Sequence, residues 1–272
     1  MYSFNYVRPS SVAEAAQALS AGSEATLIAG GHTLIPTLKQ RLAKPKTVVD
    51  ISNIAELKGI RREANTLVIG AATTHAEVAS SPEVRSAIPA LAKLAAGIGD
   101  AQVRHRGTIG GSVANNDPAA DYPAAVLGLG ATVVTDKSQL DADSFFTGLF
   151  STALQPGEII KAIRFPIPDK AGYAKFEQRA SRYCLVSVFV ARMPGGIFSS
   201  GDVRVAVSGA GQNGVFRVPE MEQALKSNFT PAAVSGIKVS PNGLMSDMHG
   251  SAEYRAALIT AMAERAVEAA LA

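Results

Sequence analysis

The sequence predicts an α+β protein, and at roughly 100–200 residues per domain its 272 residues suggest about two domains. Three observations carry this. Short β-rich runs alternate with alanine-rich helical ones as far as residue 168. A stretch rich in Pro and Gly, Pro166-Ile167-Pro168 followed by Asp169-Lys170-Ala171-Gly172, then marks a boundary. Beyond it, three strand-like runs follow one another with only turns between them, the pattern of an antiparallel sheet. With 47% hydrophobic and 18% charged residues the chain can bury a sizeable core, which excludes a disordered chain and a stapled mini-fold.

Ser10 and Ser11 offer caps for a helix over Val12–Ser20, with Glu14 in its first turn. Ala25–Ile28 is a short apolar run that stops at Gly30-Gly31, and Leu34–Leu42 has helical apolar spacing. Thr47–Ile51 and Leu67–Ile69 read as strands, the second running into Gly70. Thr74 can cap a helix beginning near His75, and Pro89–Ala96 is a helix of the buried kind. Asp117-Pro118 reads as an N-cap and first-turn Pro opening a helix toward Leu129. Thr132–Thr135 and Ile159–Phe165 are strands. Tyr173–Arg179, Leu185–Ala191 and Val203–Ser208 form the sequential trio, and Ala252–Leu271 closes the chain as a helix.

Composition excludes several functions. The lone Cys184 rules out an internal disulfide, a Cys-ligated iron–sulfur cluster and a multi-Cys zinc site, and reads best as a packed thiol. Redox chemistry would therefore need an organic cofactor or a partner's metal. Lys+Arg 26 against Asp+Glu 23 is nearly balanced, and Arg104-His105-Arg106 is too short a basic run for nucleic acid. No basic and apolar leader opens the chain, and the weakly polar stretches 124–134 and 256–272 fall short of the ~20 apolar residues of a membrane span or are broken by charge. The expected location is the cytoplasm. The four histidines (His32, His75, His105, His249) form no metal-binding pattern, and no G-x-S-x-G elbow supports a hydrolase.

One self-similarity stands out. Ile28-Ala29-Gly30-Gly31-His32-Thr33 and Thr108-Ile109-Gly110-Gly111-Ser112-Val113 each place Gly-Gly and a small polar or His residue after β-branched residues. A Gly-Gly pair lets backbone approach a ligand and turn successive N–H groups onto an anion. Either alone reads as an ordinary turn; the two together, with hydroxyls on Thr33, Thr108 and Ser112, read as a grip on the two halves of one pyrophosphate. Gly209-Ala210-Gly211-Gln212-Asn213-Gly214 matches the dinucleotide fingerprint but is followed by Val215–Pro219, so it reads as a loop between strands and not a Rossmann site. Asp121, in the tail Asn115-Asn116-Asp117-Pro118-Ala119-Ala120-Asp121, is a candidate acceptor for ligand hydroxyls or a helix-dipole partner. Tyr173, Phe176 and Tyr183 could flank a flat ring or pack in the core.

These residues resemble a known family. Ile28 to Pro36 is similar to the first FAD-binding motif of the medium, flavin-carrying subunits of molybdenum hydroxylases, the carbon monoxide dehydrogenase medium-subunit and xanthine dehydrogenase FAD-domain family. Thr108–Ser112 followed by Asn116–Asp121 is similar to the second motif, and Val48–Ile51, Ile69–His75, Phe145–Gly148, Glu158–Ile160 and Tyr254-Arg255 continue the match. The resemblance spans essentially the whole chain.

It implies a three-domain flavoprotein of the vanillyl-alcohol-oxidase/PCMH-type FAD-binding fold, with an α/β subdomain over 1–52, an α+β subdomain over 53–168 and a C-terminal domain of antiparallel sheet and helices over 169–272. FAD would lie between the first two, its diphosphate held by Ala29, Gly30, Gly31, His32 and Thr33 and by Thr108, Gly110, Gly111 and Ser112, with Asn115 nearby. Asp121 would bind ribityl or phosphate-side hydroxyls, Ile160 and Lys175 would lie near the flavin ring, and Tyr183 would gate it; no metal is expected on this chain. Ser112 stands where the family often has Asn, which keeps a donor but shortens its reach; Arg182 stands where Asp is common and, with His105-Arg106, makes the approach to the ring more positive.

The implied function is an electron-transfer subunit that takes electrons from [2Fe–2S] clusters of a small subunit and passes them to an external acceptor. A large subunit would carry the molybdenum cofactor, the whole forming a dimer of heterotrimers. The rivals are a stand-alone flavin-binding module and a small flavin oxidase, for which the ~100 residues after Pro168 are short.

Overall fold

The computed structural model describes residues 1–22, 24–195 and 201–272. Strands β1 (Asn5–Val7), β2 (Ala25–Ile28) and β3 (Thr47–Asp50) form a parallel sheet in the order β1-β3-β2. Helix α1 (Val12–Ser20) starts where Ser11 Oγ accepts the Glu14 N–H, and its Val12 and Ala15 pack with Val49 and Ile51. Helix α2 (Leu34–Lys39) makes the crossover that a parallel β2–β3 pair requires, and the carboxyl end of β2 becomes a binding rim. It stops short of the Leu42 that apolar spacing predicts: Arg41 takes left-handed backbone (φ +61°) and Leu42 is left exposed.

The middle sheet is antiparallel. Strands β4 (Ile60–Glu63), β5 (Thr66–Gly70), β6 (Thr132–Thr135) and β7 (Gln139–Asp141) are followed by a small ribbon, β8 (Phe146–Gly148) and β9 (Ser151–Thr152), and by β10 (Ile160–Pro166). The sheet order is β4-β5-β10-β6-β7, so the last strand lies in the centre. Between β5 and β6 run α3 (His75–Ser80), α4 (Pro82–Ala87), α5 (Pro89–Ala96), α6 (Ala101–Arg106), α7 (Ile109–Asn115) and α8 (Tyr122–Gly128), with a short α9 (Ala142–Phe145) after β7. Thr74 caps α3 through a reciprocal capping box with Glu77.

Two segments fold differently from what their sequence predicts. No helix opens at Asp117-Pro118. Asn116 ends α7 in left-handed backbone (φ 44°), Asp117 Oδ1 accepts the Ala119 N–H (2.9 Å) to close a turn, and the helix starts at Tyr122 with Pro123 in its first turn. The second Gly-Gly pair, read as a turn, instead lies in the first turn of α7.

The last sheet, β11 (Lys170–Glu177), β12 (Cys184–Arg192), β13 (Val203–Ser208) and β14 (Phe216–Arg217), is antiparallel, one short strand longer than the trio the sequence predicts. Residues 209–214 form the loop between β13 and β14, as their neighbours demand. After α10 (Pro219–Ser227) and α11 (Ala232–Ser235), α12 (Ala252–Leu271) packs on this sheet through Ile259, Met262, Ala263 and Val267. On the other side Tyr173, Phe189, Ala191 and Ala206 share one core with Ala124, Ala125, Leu67, Ile69 and Phe165. Each large apolar side chain buried there contributes about 1.5–3 kcal/mol, which holds the last sheet against α8 and the middle layer. Among the described residues, no helix is long and apolar enough to cross a membrane.

Candidate functional site

The two Gly-Gly segments meet. A Cβ at Gly30 would collide with the Arg106 carbonyl oxygen and lie 2.7 Å from Gly107 Cα, so only glycine lets the end of β2 sit on the residues that lead into α7. Around this junction opens a cleft of about 600 Å³. Ala29, Gly30, Gly31, His32 and Thr33 line it, as do Thr108, Gly110, Gly111, Ser112, Asn115, Asp121, Ile160 and Tyr183. Of the residues expected to hold the cofactor, Lys175 is not in the lining, and of the three aromatics that could flank a ring Tyr173 and Phe176 pack in the cores instead.

At the first segment the backbone is left open. Gly31 has φ +74°, which turns successive amides toward one side, and Ile35 N–H returns to the Gly31 carbonyl (2.9 Å) to start α2. The amides of Gly31, His32 and Thr33 donate to no acceptor among the described residues. Adjacent free N–H groups of this kind form an anion-binding concavity.

At the second segment the amides are committed. Ile109 N–H donates to Thr73 O (3.1 Å), Gly110 N–H to Ala71 O (2.9 Å) and Ser112 N–H to Thr108 O (3.0 Å). Gly111 N–H donates to Thr108 Oγ1 (3.2 Å). A Cβ at Gly110 would lie 2.5 Å from Ala71 Cβ, so this glycine permits α7 to press on the end of β5. A Cβ at Gly111 would meet only Thr108 Oγ1 within 4 Å outside α7's own backbone. What this segment offers the cleft is the hydroxyls of Thr108 and Ser112 and the amino end of α7.

Other elements complete the walls. Ile160 sits at a β-bulge, where pairing to β6 shifts between Ile160 and Ala162, a device that re-aims a side chain out of register. Tyr183 closes the β11–β12 loop beside Arg182, whose φ of +60° marks a tight turn; Tyr183 lines the cleft and is 58% exposed. Asp121 is buried. The Tyr173 hydroxyl donates to its Oδ1 (2.5 Å) and Lys175 Nζ lies 2.9 Å from the same oxygen, while Lys175 also donates to the Gly97 carbonyl (3.3 Å). Burial pushes the Asp121 carboxyl up, against the opposing pull of Lys175 and Tyr173. Lys175 thus reaches the cleft only through Asp121. Cys184 is buried away from it, its thiol pushed up to about 12 by burial, which fits a packed, unreactive role.

Sequence reasoning missed the α5–α6 connection, Ile98 and Gly99 with Val103, and Leu154 before β10, all of which line the cleft. No period or motif marks them. The basic run Arg104-His105-Arg106 divides in the structure, since Arg104 spends its guanidinium on the Ile98 and Gly99 carbonyls (3.1 and 2.9 Å). Among the described residues no three His, Cys, Asp or Glu side chains group to hold a metal ion. Free amides on one segment, hydroxyls and a helix start on the other, and an apolar wall with an exposed aromatic suit a ligand with an anionic centre and a flat ring.

Comparison with known proteins gives the same chemistry. Residues 2–168 match a family model described as the FAD binding domain in molybdopterin dehydrogenase. The carbon monoxide dehydrogenase medium chain of Hydrogenophaga pseudoflava is 35% identical over 98% of this chain and 96% of its own length. The nicotine 6-hydroxylase medium subunit of Paenarthrobacter nicotinovorans is 34% identical over 96% of this chain and 95% of its own. Among solved structures, the carbon monoxide dehydrogenase from H. pseudoflava superposes with a TM-score of 0.86 at 33% identity, covering 99% of this chain and 98% of that one. Quinoline 2-oxidoreductase from Pseudomonas putida 86 gives a TM-score of 0.87 at 30% identity, with the same coverage.

Proposed function

The chain belongs to the family of FAD-binding domains of molybdopterin dehydrogenases, and from that premise we propose how it divides labour with its partners. It is the FAD-binding medium subunit of a molybdenum hydroxylase, an oxidoreductase that takes electrons from [2Fe–2S] clusters of a small subunit and passes them to an external acceptor. A large subunit carries the molybdenum cofactor and oxidises the substrate, and the assembly is a cytoplasmic dimer of heterotrimers. The single Cys of this chain supports placing the clusters elsewhere.

The observation that carries this reading is the junction at Gly30 and Gly107, which presents free amides and hydroxyls to one cleft. FAD, when bound, supplies a two-electron store that the fold positions and tunes. The chain's own residues do the rest. Gly31, His32 and Thr33 amides hold the diphosphate from one side, and Thr108, Ser112 and the start of α7 from the other, with Ala29, Gly30, Gly110, Gly111 and Asn115 shaping the wall. Asp121, fixed by Tyr173 and Lys175, keeps an acceptor for ribityl hydroxyls. Ile160 keeps water off the ring and Tyr183 controls access to it. Arg182, with His105 and Arg106, makes the approach positive, favouring a reduced anionic ring or an acidic docking face. The three domains divide at residues 52 and 168.

The test is an absorption spectrum of the purified full chain, followed by acid release and identification of the flavin. A yellow protein releasing FAD is expected, and a colourless one that takes up no added FAD overturns the reading. Co-purification with a cluster-bearing and a molybdenum-bearing chain separates it from a stand-alone flavin module. Turnover of a simple alcohol by the isolated chain would instead favour a small flavin oxidase. An Arg182→Ala variant with unchanged flavin potential and partner affinity removes the role given to the positive approach.

A further inference from the structure

One buried polar side chain in the cleft is left without a partner. His75, the first residue of α3, is 5% exposed and lines the cleft. Its backbone N–H donates to the Gly107 carbonyl (2.9 Å), which fixes the ring under the junction of the two Gly-Gly segments. Its Nδ1 is sealed from solvent and has no hydrogen-bond partner among the described residues. Its Nε2 edge abuts Gly107, where even a Cβ would come within 2.6 Å. The other face packs on Tyr122, ring centroids 5.3 Å apart.

The chemistry of a neutral imidazole then fixes the roles of the two nitrogens. Burial, with His32 and Arg104 nearby, pushes its pKa down to about 4, so one nitrogen carries a proton and the other a lone pair at neutral pH. A sealed N–H without an acceptor is rarer and costlier than an unsatisfied acceptor. The proton therefore sits on Nε2, a donor beside Gly107, which lies two residues before the start of α7. Among the described residues no acceptor takes that donor.

We propose that His75 is a further cofactor-binding residue, its Nε2–H donating to an oxygen of the FAD diphosphate where the two Gly-Gly segments meet. The proposal rests on the FAD reading above. A neutral donor suits this place: it adds a hydrogen bond to the anion without placing another cation beside Arg104.

The experiment compares the full chain with His75→Phe, which keeps the contact with Tyr122, and His75→Gln, which keeps a donor. FAD is titrated into each apo protein, and ³¹P spectra of the bound cofactor and ¹⁵N spectra of the imidazole are recorded. The expected result is about tenfold weaker FAD binding by the Phe variant, the scale for one lost hydrogen bond to a charged group. Partial recovery with Gln, a moved diphosphate resonance and unchanged apo melting complete the expected picture. In the wild type the Nε2–H resonance shifts when FAD is added, a readout that holds even if the Phe variant does not fold. Wild-type affinity and an unmoved ³¹P spectrum in the Phe variant, or an Nε2 resonance indifferent to FAD, overturn the proposal. A wild-type chain that takes up no FAD fails differently: it removes the FAD reading itself, and this inference with it.

Discussion

The two Gly-Gly pairs are near-copies in sequence and opposites in the structure. The pair at Gly30-Gly31 ends a parallel strand and leaves three consecutive amides, Gly31 to Thr33, without an acceptor among the described residues, whereas the pair at Gly110-Gly111 begins a helix and spends its amides on Ala71 and on Thr108. Within each pair the first glycine serves packing, Gly30 against Arg106-Gly107 and Gly110 against Ala71. The second faces ligand chemistry, Gly31 through its left-handed backbone and Gly111 through the space above it. One motif thus delivers binding groups by two routes. Backbone donors come from one side, and hydroxyls and a helix start from the other.

The strongest test of this division is Gly30→Ala. The new methyl meets backbone that cannot step aside, so we expect the apo chain to lose about 3 kcal/mol, the upper range for overpacking, and FAD binding to disappear with the junction. Chemical denaturation and a flavin titration measure both. If Gly30→Ala folds normally and still binds FAD, the two segments do not depend on this contact. Gly31→Ala should cost less, about 1–2 kcal/mol for holding an L-residue in left-handed backbone, because its Cβ meets chiefly the movable Ile35 side chain. Its FAD affinity should nevertheless fall at least about tenfold, one decade per 1.4 kcal/mol lost, as the free amides lose their common direction.

Much of this was readable in advance because it is local. The Ser11 and Thr74 caps, the buried helix Pro89–Ala96 and the terminal helix Ala252–Leu271 follow from a few neighbouring residues. The glycine pairs were readable as features, but not which amides stay free, since that is decided by carbonyls of Ala71 and Thr73 some 40 residues away. Helix α7 hid for the same reason. Ile109-Gly110-Gly111-Ser112 has poor helix propensity, and close packing of Gly110 on Ala71 overrides it. Asp117-Pro118 misled because a capping signal recurs a few residues later at Asp121-Tyr122-Pro123, and the chain turns at the first and coils at the second. The engagement of Asp121 by Tyr173 and Lys175 joins residues more than 50 positions apart, which no local pattern announces.

Thr108 provides a smaller effect that bears on the second pair alone. Its Oγ1 accepts the Gly111 N–H and caps α7. Thr108→Val keeps the shape and removes the acceptor, so the apo chain should lose about 1 kcal/mol, the usual worth of an N-cap, measurable as a lower thermal midpoint. FAD binding should weaken as well, because the same hydroxyl faces the cleft. Unchanged stability would mean that the amides at this end are not committed as described, and the contrast with the first pair would narrow.

The smallest stability effect, and the sharpest separation of fold from function, belongs to Gly111→Ala. This glycine has ordinary helical backbone, and the added methyl would approach only Thr108 Oγ1, at 2.9 Å. Alanine is favoured over glycine within a helix by up to about 1 kcal/mol, which the contact with Thr108 partly offsets, so the apo chain should keep its stability to within about 0.5 kcal/mol. The methyl occupies the space over the start of α7, where the diphosphate is held in the reading above. FAD affinity should therefore drop about tenfold, roughly the 1.4 kcal/mol of a displaced phosphate contact, with no loss of thermal midpoint. A variant that binds FAD as the wild type does would show that the second pair contributes packing only, and would leave the anion grip to the free amides at Gly31–Thr33 and to His75.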